Sequence, residues 1–243
     1  MKHKITLLLS LICLCGYSQA NHSFGDSKNI VKWNVLGLTS STLSVQYERI
    51  LSENISFATT VNIMPQRSIP YFDNVRKTIN DAGATDILKD VRMQAYSVIP
   101  EVRYYFGKES AQGFYIAPFF RYDRFVLDFP IEYIYKNELA FITLDGSVNG
   151  FSGGLSFGAQ WQLATNWYLD VNFLGLSYGG ANGKLSGKRP LDAEEQTNVK
   201  DALSDLEIDV IKYKYNVDAN GAEVKIKGPW ANAKFAVAVG YRF

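Results

Sequence analysis

The sequence is poor in residues that form covalent or metal cross-links. Its two cysteines, Cys13 and Cys15, lie within the first twenty residues, and its two histidines are His3 and His22. Disulfides, thiolate catalysis and cysteine-based metal sites are therefore excluded for the rest of the chain. No later segment has about 18 consecutive apolar residues, which excludes a membrane-spanning helix.

The first twenty residues have the pattern of a secretory signal peptide. Lys2 and Lys4 precede an apolar run from Ile5 to about Gly16. Ser18 and Ala20 then provide small residues at the two positions that a signal peptidase reads. This run is too short to span a membrane. We predict a signal peptide over residues 1–20, cleaved after Ala20, and a single domain over residues 21–243.

Two further expectations follow from this segment. Cys13 and Cys15 follow Ile12 and Leu14 rather than the small residue that a lipoprotein signal places there, which argues against a lipid anchor. Loss of the two lysines lowers the net charge from +1 to −1. We therefore expect no nucleic-acid partner.

The rest of the chain alternates with a period of two, which predicts β-strands. The stretch 232–243 is the clearest case, because the large apolar side chains occupy one face and small or charged residues the other. The apolar face holds Phe235, Val237, Val239, Tyr241 and Phe243. Covering one face completely with large apolar groups is typical of a strand that faces lipid.

Eight such strands of about nine or more residues are predicted, enough to cross a bilayer when tilted. The first runs from Ile30 to Gly37 and forms a hairpin with the second, which runs from Thr42 to Glu48. The turns after the second, fourth and sixth strands are tight, whereas long insertions follow the third, fifth and seventh. The insertions are placed at 65–92, 129–148 and 181–231, and the second forms a hairpin above the strands. The third contains a helix and then a hairpin that turns at Asn220 and Gly221. The apolar stripe of this helix consists of Val199, Ala202, Leu203, Leu206 and Val210. We predict an all-β fold, an eight-stranded antiparallel transmembrane β-barrel with long extracellular loops.

Two features fit this barrel less well. Pro100 and Pro118 each remove a ladder donor, which predicts a bulge or a local break. The alternation also fails at 174–178, where the facing of the side chains cannot be assigned from the pattern.

Several short motifs resemble an uncharacterised outer-membrane β-barrel family of Gram-negative bacteria, a domain of unknown function. They are Lys32-Trp33-Asn34 with Gly37, Gln46-Tyr47-Glu48-Arg49, the run from Pro100 to Phe106, the run from Gly113 to Pro118, and Gly158-Ala159-Gln160. The likeness covers nearly the whole mature chain and extends in general terms to small eight-stranded outer-membrane barrels. It implies a fold and a location, and no activity.

Charged residues of both signs fall on the predicted inward face. They are Lys32, Glu48, Glu101, Arg103, Arg121, Asp123, Asp170, Lys234 and Arg242. Because unpaired buried ions are costly, we predict a structural network of ion pairs that fills the interior. An ion or proton path through the interior is the alternative.

The expected function is structural or surface-interacting, through the extracellular loops, without catalysis or cofactors. His22 lies before the first strand, so it is not expected to act as a catalytic base. The alternative is a small lipid- or ligand-handling outer-membrane barrel, including an enzyme that acts on outer-leaflet lipid. Expected partners are outer-membrane lipid and the barrel-assembly machinery, which would read Tyr241 and Phe243 as a C-terminal assembly signal. Any extracellular partner is left open.

Overall fold

The computed structural model describes residues 27–68, 91–204 and 212–243, so the predicted signal peptide and Ala20 lie outside the described residues. Within these ranges most residues are in strands. The strands are β1 (Asn29–Asn34), β2 (Leu43–Ile50), β3 (Ile55–Ser68), β4 (Arg92–Tyr105), β5 (Gly113–Tyr135), β6 (Glu138–Ala164), β7 (Trp167–Lys188), β8 (Lys212–Asp218) and β9 (Gly221–Arg242). The described residues also form a 3₁₀ helix (Val35–Ser40) and an α-helix, α1 (Ala193–Ser204). None of their helices is long and apolar enough to cross a membrane.

The strands form a closed antiparallel barrel. Each strand from β1 to β6 pairs with the next one along the chain. β7 pairs with β9, and β9 pairs with β1 to close the ring. In the closing pair Ile30 lies opposite Arg242 and Asn34 opposite Ala238. The predicted eight-stranded antiparallel barrel is therefore confirmed, with β8 as an added strand on β9.

The two ends of the barrel differ. We call the end with the turns 51–54, 106–112 and 165–166 the lower rim and the opposite end the upper rim. Asn29 and Phe243 exchange backbone hydrogen bonds at the lower rim, the Asn29 N–H donating over 3.3 Å and the Phe243 N–H over 2.9 Å. The upper rim carries the 3₁₀ helix, the β5–β6 turn, α1 and β8, and there β3 ends at Ser68 and β4 begins at Arg92.

The first strand is shorter than predicted. We expected strand pairing up to Gly37, but β1 ends at Asn34, whose side chain accepts a hydrogen bond from the Leu36 N–H and starts the 3₁₀ helix. The hairpin itself is confirmed, since β1 and β2 pair from Asn29 and Arg49 to Trp33 and Val45. The early end of β1 leaves part of β9 without β1 as a neighbour.

The two strand prolines cause no bulge. The β4–β5 ladder lacks pairs at Pro100 and at Pro118 but resumes in the same register, with Val98 opposite Tyr122 and Glu101 opposite Phe119. The expected local break is present and the expected bulge is not. Pro65, in contrast, lies where the β3–β4 register shifts between Met64 and Arg67, which is where a sheet accommodates proline.

A register shift explains why the alternation fails at 174–178. The β7–β9 register shifts between Asn172 and Gly175, so Phe173 and Leu174 both point outward. Beyond the shift, Leu176 and Tyr178 point outward and Ser177 is buried in the interior. Such bulges insert one residue and reverse the parity of the strand that follows.

The insertion at 129–148 continues the barrel wall. β5 and β6 stay paired up to Tyr135 and Glu138 around a turn at Lys136 and Asn137, both with positive φ. This confirms the predicted hairpin, and left-handed residues are usual in two-residue turns.

The prediction of a separate loop at 181–231 is wrong. β7 and β9 remain paired up to Lys188 opposite Gly221, so only the segment between them leaves the wall. That segment contains the predicted helix, as α1, and the predicted hairpin turn at Asn220 and Gly221. Leu206 and Val210 of the predicted helical stripe lie outside the described residues.

Candidate functional site

The lower interior contains a cluster of buried ions. Lys32 of β1, Glu48 of β2, Glu101 and Arg103 of β4 and Asp170 of β7 point inward, and each is at most 3% exposed. Their neighbours along each strand point outward because side chains alternate across a strand. The structure thus brings together residues that lie up to 138 positions apart in sequence.

Arg103 is at the centre of this cluster. Its Nη1 lies 2.6 Å from Asp170 Oδ2 and 3.4 Å from Glu48 Oε2, and its Nη2 lies 2.6 Å from Glu101 Oε1. Lys32 Nζ also pairs with Glu48 and lies 2.6 Å from Asp170 Oδ2. Each carboxylate of this group therefore contacts at least one cation.

Lys234 extends the cluster upward. Its Nζ pairs with Glu101 and lies 5.3 Å from the centroid of the Phe119 ring. Lys234 lies on β9, which stands opposite β4 in the closed ring of strands, so it reaches Glu101 across the interior. The ion pairs therefore connect the barrel wall across its interior.

Neutral side chains complete the cluster, and the sequence did not single them out. Tyr105 Oη donates to Glu48 over 2.7 Å and Tyr115 Oη donates to Asp170 over 2.9 Å. The Arg103 guanidinium carbon lies 4.3 Å from the Tyr115 ring centroid. Gln46 Oε1 accepts from Arg103 over 3.0 Å, and Gln160 accepts from Lys32. Their inward parity on the predicted strands was the signal that could have found them.

The other predicted interior ions lie apart from Arg103. Arg121 Nε lies 2.8 Å from Asp123 Oδ2, which also accepts from Trp230 Nε1 over 3.0 Å. Arg242 lies near the lower rim, where it donates to the Ser27 carbonyl over 2.8 Å and to Tyr168 Oη over 3.1 Å. The nine predicted residues thus form one cluster of six, a separate pair above it and one arginine below.

A small polar cavity of about 140 Å³ lies above the cluster. Its lining includes Gln46, Asn62, Arg103 and Asn172. Asn172 Oδ1 is buried without a hydrogen-bond partner among the described residues. At about 30 Å³ per molecule in the liquid, the cavity has room for a few waters, which are the usual partners of such atoms.

The outer surface is apolar around the lower half of the barrel. Large apolar side chains that are 38–70% exposed point outward from every strand of this half. They include Val31, Val45, Phe57, Val102, Phe120, Leu155, Leu176 and Phe235. Near the lower rim the row ends in exposed aromatic residues, namely Tyr47, Tyr104, Phe106, Phe114, Trp167, Tyr241 and Phe243.

The pattern inverts in the upper part of the same strands. On β9, Lys234 points inward below, whereas Ala222 and Val224 are buried above and Lys225 and Lys227 are exposed. β5, β6 and β7 change in the same way, with Ile131, Leu144 and Leu185 buried in the upper part. The lower half is therefore polar inside and apolar outside, and the upper part has an ordinary apolar core.

Helix α1 packs on this upper core. Val199 and Leu203 are buried against residues of the extended strands. Tyr135 Oη donates to Asp192 Oδ2 over 2.6 Å, and this bond lowers the pKa of Asp192. Tyr133 Oη donates to Glu195 over 3.0 Å, while burial raises the pKa of Tyr133. The helix start is thus held by two hydroxyl–carboxylate bonds to β5.

Comparisons with known proteins give a family and distant structural likenesses. The model of a family described as "Protein of unknown function (DUF3575)" matches residues 5–185. No curated protein matches the chain.

Three solved structures are similar to the chain at low scores. The N-terminal β-barrel domain of Pseudomonas aeruginosa OprF is 9% identical, with a TM-score of 0.30, and the match covers 90% of this chain and 100% of that one. The β domain of the Bordetella autotransporter BrkA is 10% identical, with a TM-score of 0.34 and coverage of 90% and 99%. The translocator domain of the autotransporter NalP from Neisseria meningitidis is 14% identical, with a TM-score of 0.31 and coverage of 100% and 98%. Scores this low add nothing to the argument from the chain's own geometry.

Proposed function

The chain belongs to the family described as "Protein of unknown function (DUF3575)", and we propose that it is an integral β-barrel of the bacterial outer membrane. In this proposal the ion cluster closes the lower interior, and the upper extension acts at the cell surface. The role is structural or surface-interacting, and it is not catalytic.

The inversion of polarity along the strands is the observation that carries this proposal. Exposing many large apolar side chains to water is unfavourable, whereas lipid solvates them. A closed barrel also leaves few backbone groups unpaired at membrane depth, as a bilayer requires. In this proposal the upper membrane boundary lies near Tyr178 and Phe151, because the outward residues above them, such as Lys184 and Lys225, are polar.

The ion cluster supports a closed rather than a conducting interior. An eight-stranded barrel is just wide enough for side chains to fill, and here Arg103 and Lys32 bridge carboxylates from β2, β4 and β7. An open path would need mobile or hydrated ions at this level. Glu48, Glu101, Asp123 and Asp170 are all paired with cations, which is also the basis for assigning no catalytic carboxylate.

The orientation follows from the two rims. Short turns and both described chain ends lie at the lower rim, which in bacterial outer-membrane barrels faces the periplasm. The extension with α1 and β8 then projects from the cell and is the surface offered to an extracellular partner. A ligand-handling role is the second candidate, favoured by an apolar chamber in the upper barrel.

Membrane location can be tested by fractionation and gel mobility. We expect the protein to be recovered with outer membranes and, without boiling, to migrate differently on a denaturing gel than after boiling. In planar bilayers the purified barrel should give no steady ion-conducting steps, because the cluster fills the lower interior. Recovery as a soluble periplasmic monomer would contradict the membrane proposal, and regular conductance would contradict only the closed interior.

The barrel-assembly machinery is the proposed partner during insertion, through Phe243 and Tyr241. Both are exposed on the outward face at the lower rim, Phe243 at 52% and Tyr241 at 43%. We expect deletion of Phe243 to reduce the outer-membrane level strongly while the signal peptide is still removed. Phe243→Tyr, which keeps an aromatic end, is the matched control. Normal membrane levels of the deletion variant would argue against this signal.

A further inference from the structure

An apolar chamber of about 290 Å³ lies inside the upper barrel, separate from the ion cluster. Its walls come from β4, β5, β6, β7 and β9, through Met93, Phe125, Val148, Ala181, Ile226 and Trp230. A cavity lined in this way favours apolar ligands over water. Its volume is near the lower end of small-molecule sites, which run from about 300 to 1,000 Å³.

Trp230 forms the floor of the chamber. Its Nε1 donates to Asp123 over 3.0 Å, so the polar edge of the indole faces the ionic half of the interior. Its ring meets Phe125 edge-on with centroids 5.4 Å apart. Gly150 provides the space for the ring, since a Cβ there would lie 2.6 Å from Trp230 Nε1. The chamber is thus chemically separate from the ion pairs below.

The chamber lies just above the upper end of the outer apolar surface. Ala231, next to Trp230 on β9, pairs with Tyr178 of β7. Tyr178 is 70% exposed, and Phe235, lower on β9, is 59% exposed. In the proposed location the chamber therefore lies beside the membrane surface and apart from the ion cluster.

We propose that the chamber binds the apolar chain of a single-chain amphiphile, such as a fatty acid. The lining selects an apolar chain, and the volume admits one chain rather than the two of a phospholipid. This inference goes beyond the structural role proposed above and does not require an enzymatic step.

Trp230 provides a direct reporter for the test. The sequence has four tryptophans, and Trp33, Trp161 and Trp167 can be replaced by phenylalanine to leave Trp230 alone. The barrel is placed in nanodiscs of unbrominated phospholipid, and a fatty acid brominated at its terminal carbon is added. We expect saturable quenching of Trp230 fluorescence. In a second arm, nanodiscs made with chain-brominated phospholipid should leave Trp230 largely unquenched.

Filling the chamber should block the effect. Ala181→Phe places a ring in the chamber, and excluding even two methylenes weakens binding about tenfold or more. Val148→Phe is the second filling variant, in case the first does not fold. Ala231→Phe, on the outward face beside Trp230, is the matched control and should bind normally. Heat-modifiable mobility checks that each variant is folded.

Three outcomes would overturn the proposal. One is quenching that rises linearly with the fatty acid and never saturates, which would indicate simple partition into the bilayer. Another is equal quenching in the filled variants and in Ala231→Phe. The third is strong quenching by brominated phospholipid alone, which would assign the chamber to bilayer lipid. None of these would affect membrane fractionation, so the test is independent of the proposed location.

Discussion

We expect Arg103→Met to lower the free energy of unfolding by about 3–5 kcal/mol. Methionine has a similar length but no charge, so Glu48, Glu101 and Asp170 would lose their shared cation. Lys32 and Lys234 would remain for three buried carboxylates. Removing one partner from a buried ion group is costly because the remaining charges stay desolvated.

The measurement is the urea midpoint of the refolded barrel in lipid vesicles, followed by gel mobility. Arg124→Met is the matched control, because Arg124 is exposed on the outward face of β5 and surface changes usually stay within about 0.5 kcal/mol. A neutral result for Arg103→Met would mean that water reaches the cluster and solvates the carboxylates. The closed interior of the proposed function would then be wrong.

The lower half of the barrel could be predicted from sequence because one physical rule holds along it. Apolar residues outside and ions inside give each strand the same two faces, and residues such as Lys32, Arg103 and Asp170 fall on the inward one. The rule does not say which inward residues contact each other. Parity alone cannot show that Arg103 pairs with Asp170 whereas Arg121 pairs with Asp123. Those contacts depend on strand order and register.

The continuation of β7 and β9 into the upper part was not predicted because the rule reverses there. Lys225 and Lys227 are exposed and Val224 faces the core, so the continuing strands resemble a separate polar loop. The register shift at 172–175 had the same effect on β7, since one extra residue moved Phe173 and Leu174 to the same face. The chamber at Trp230 is formed by side chains from several strands, and no local pattern encodes their meeting.

Two adjacent glycines on β6 provide a test of how tightly the interior is packed. A Cβ on Gly154 would lie 2.2 Å from the Leu176 carbonyl oxygen and 2.8 Å from Phe119 Cζ. A Cβ on Gly153, which points outward, would meet nothing within 4 Å. The two glycines are neighbours on the same strand. Only at Gly154 is the space beyond Cα already occupied by other atoms.

We expect Gly154→Ala to destabilise the barrel by about 1–3 kcal/mol, as overpacking does when backbone must move. Gly153→Ala should be neutral or stabilising by about 0.4–1 kcal/mol, because it reduces the freedom of the unfolded chain without a clash. Urea midpoints of the two variants, measured in the same vesicles, give the comparison. Equal midpoints would mean that the wall near Phe119 relaxes freely around the added methyl group. That result would contradict a rigid, filled barrel, because a close-packed interior transmits strain instead of absorbing it.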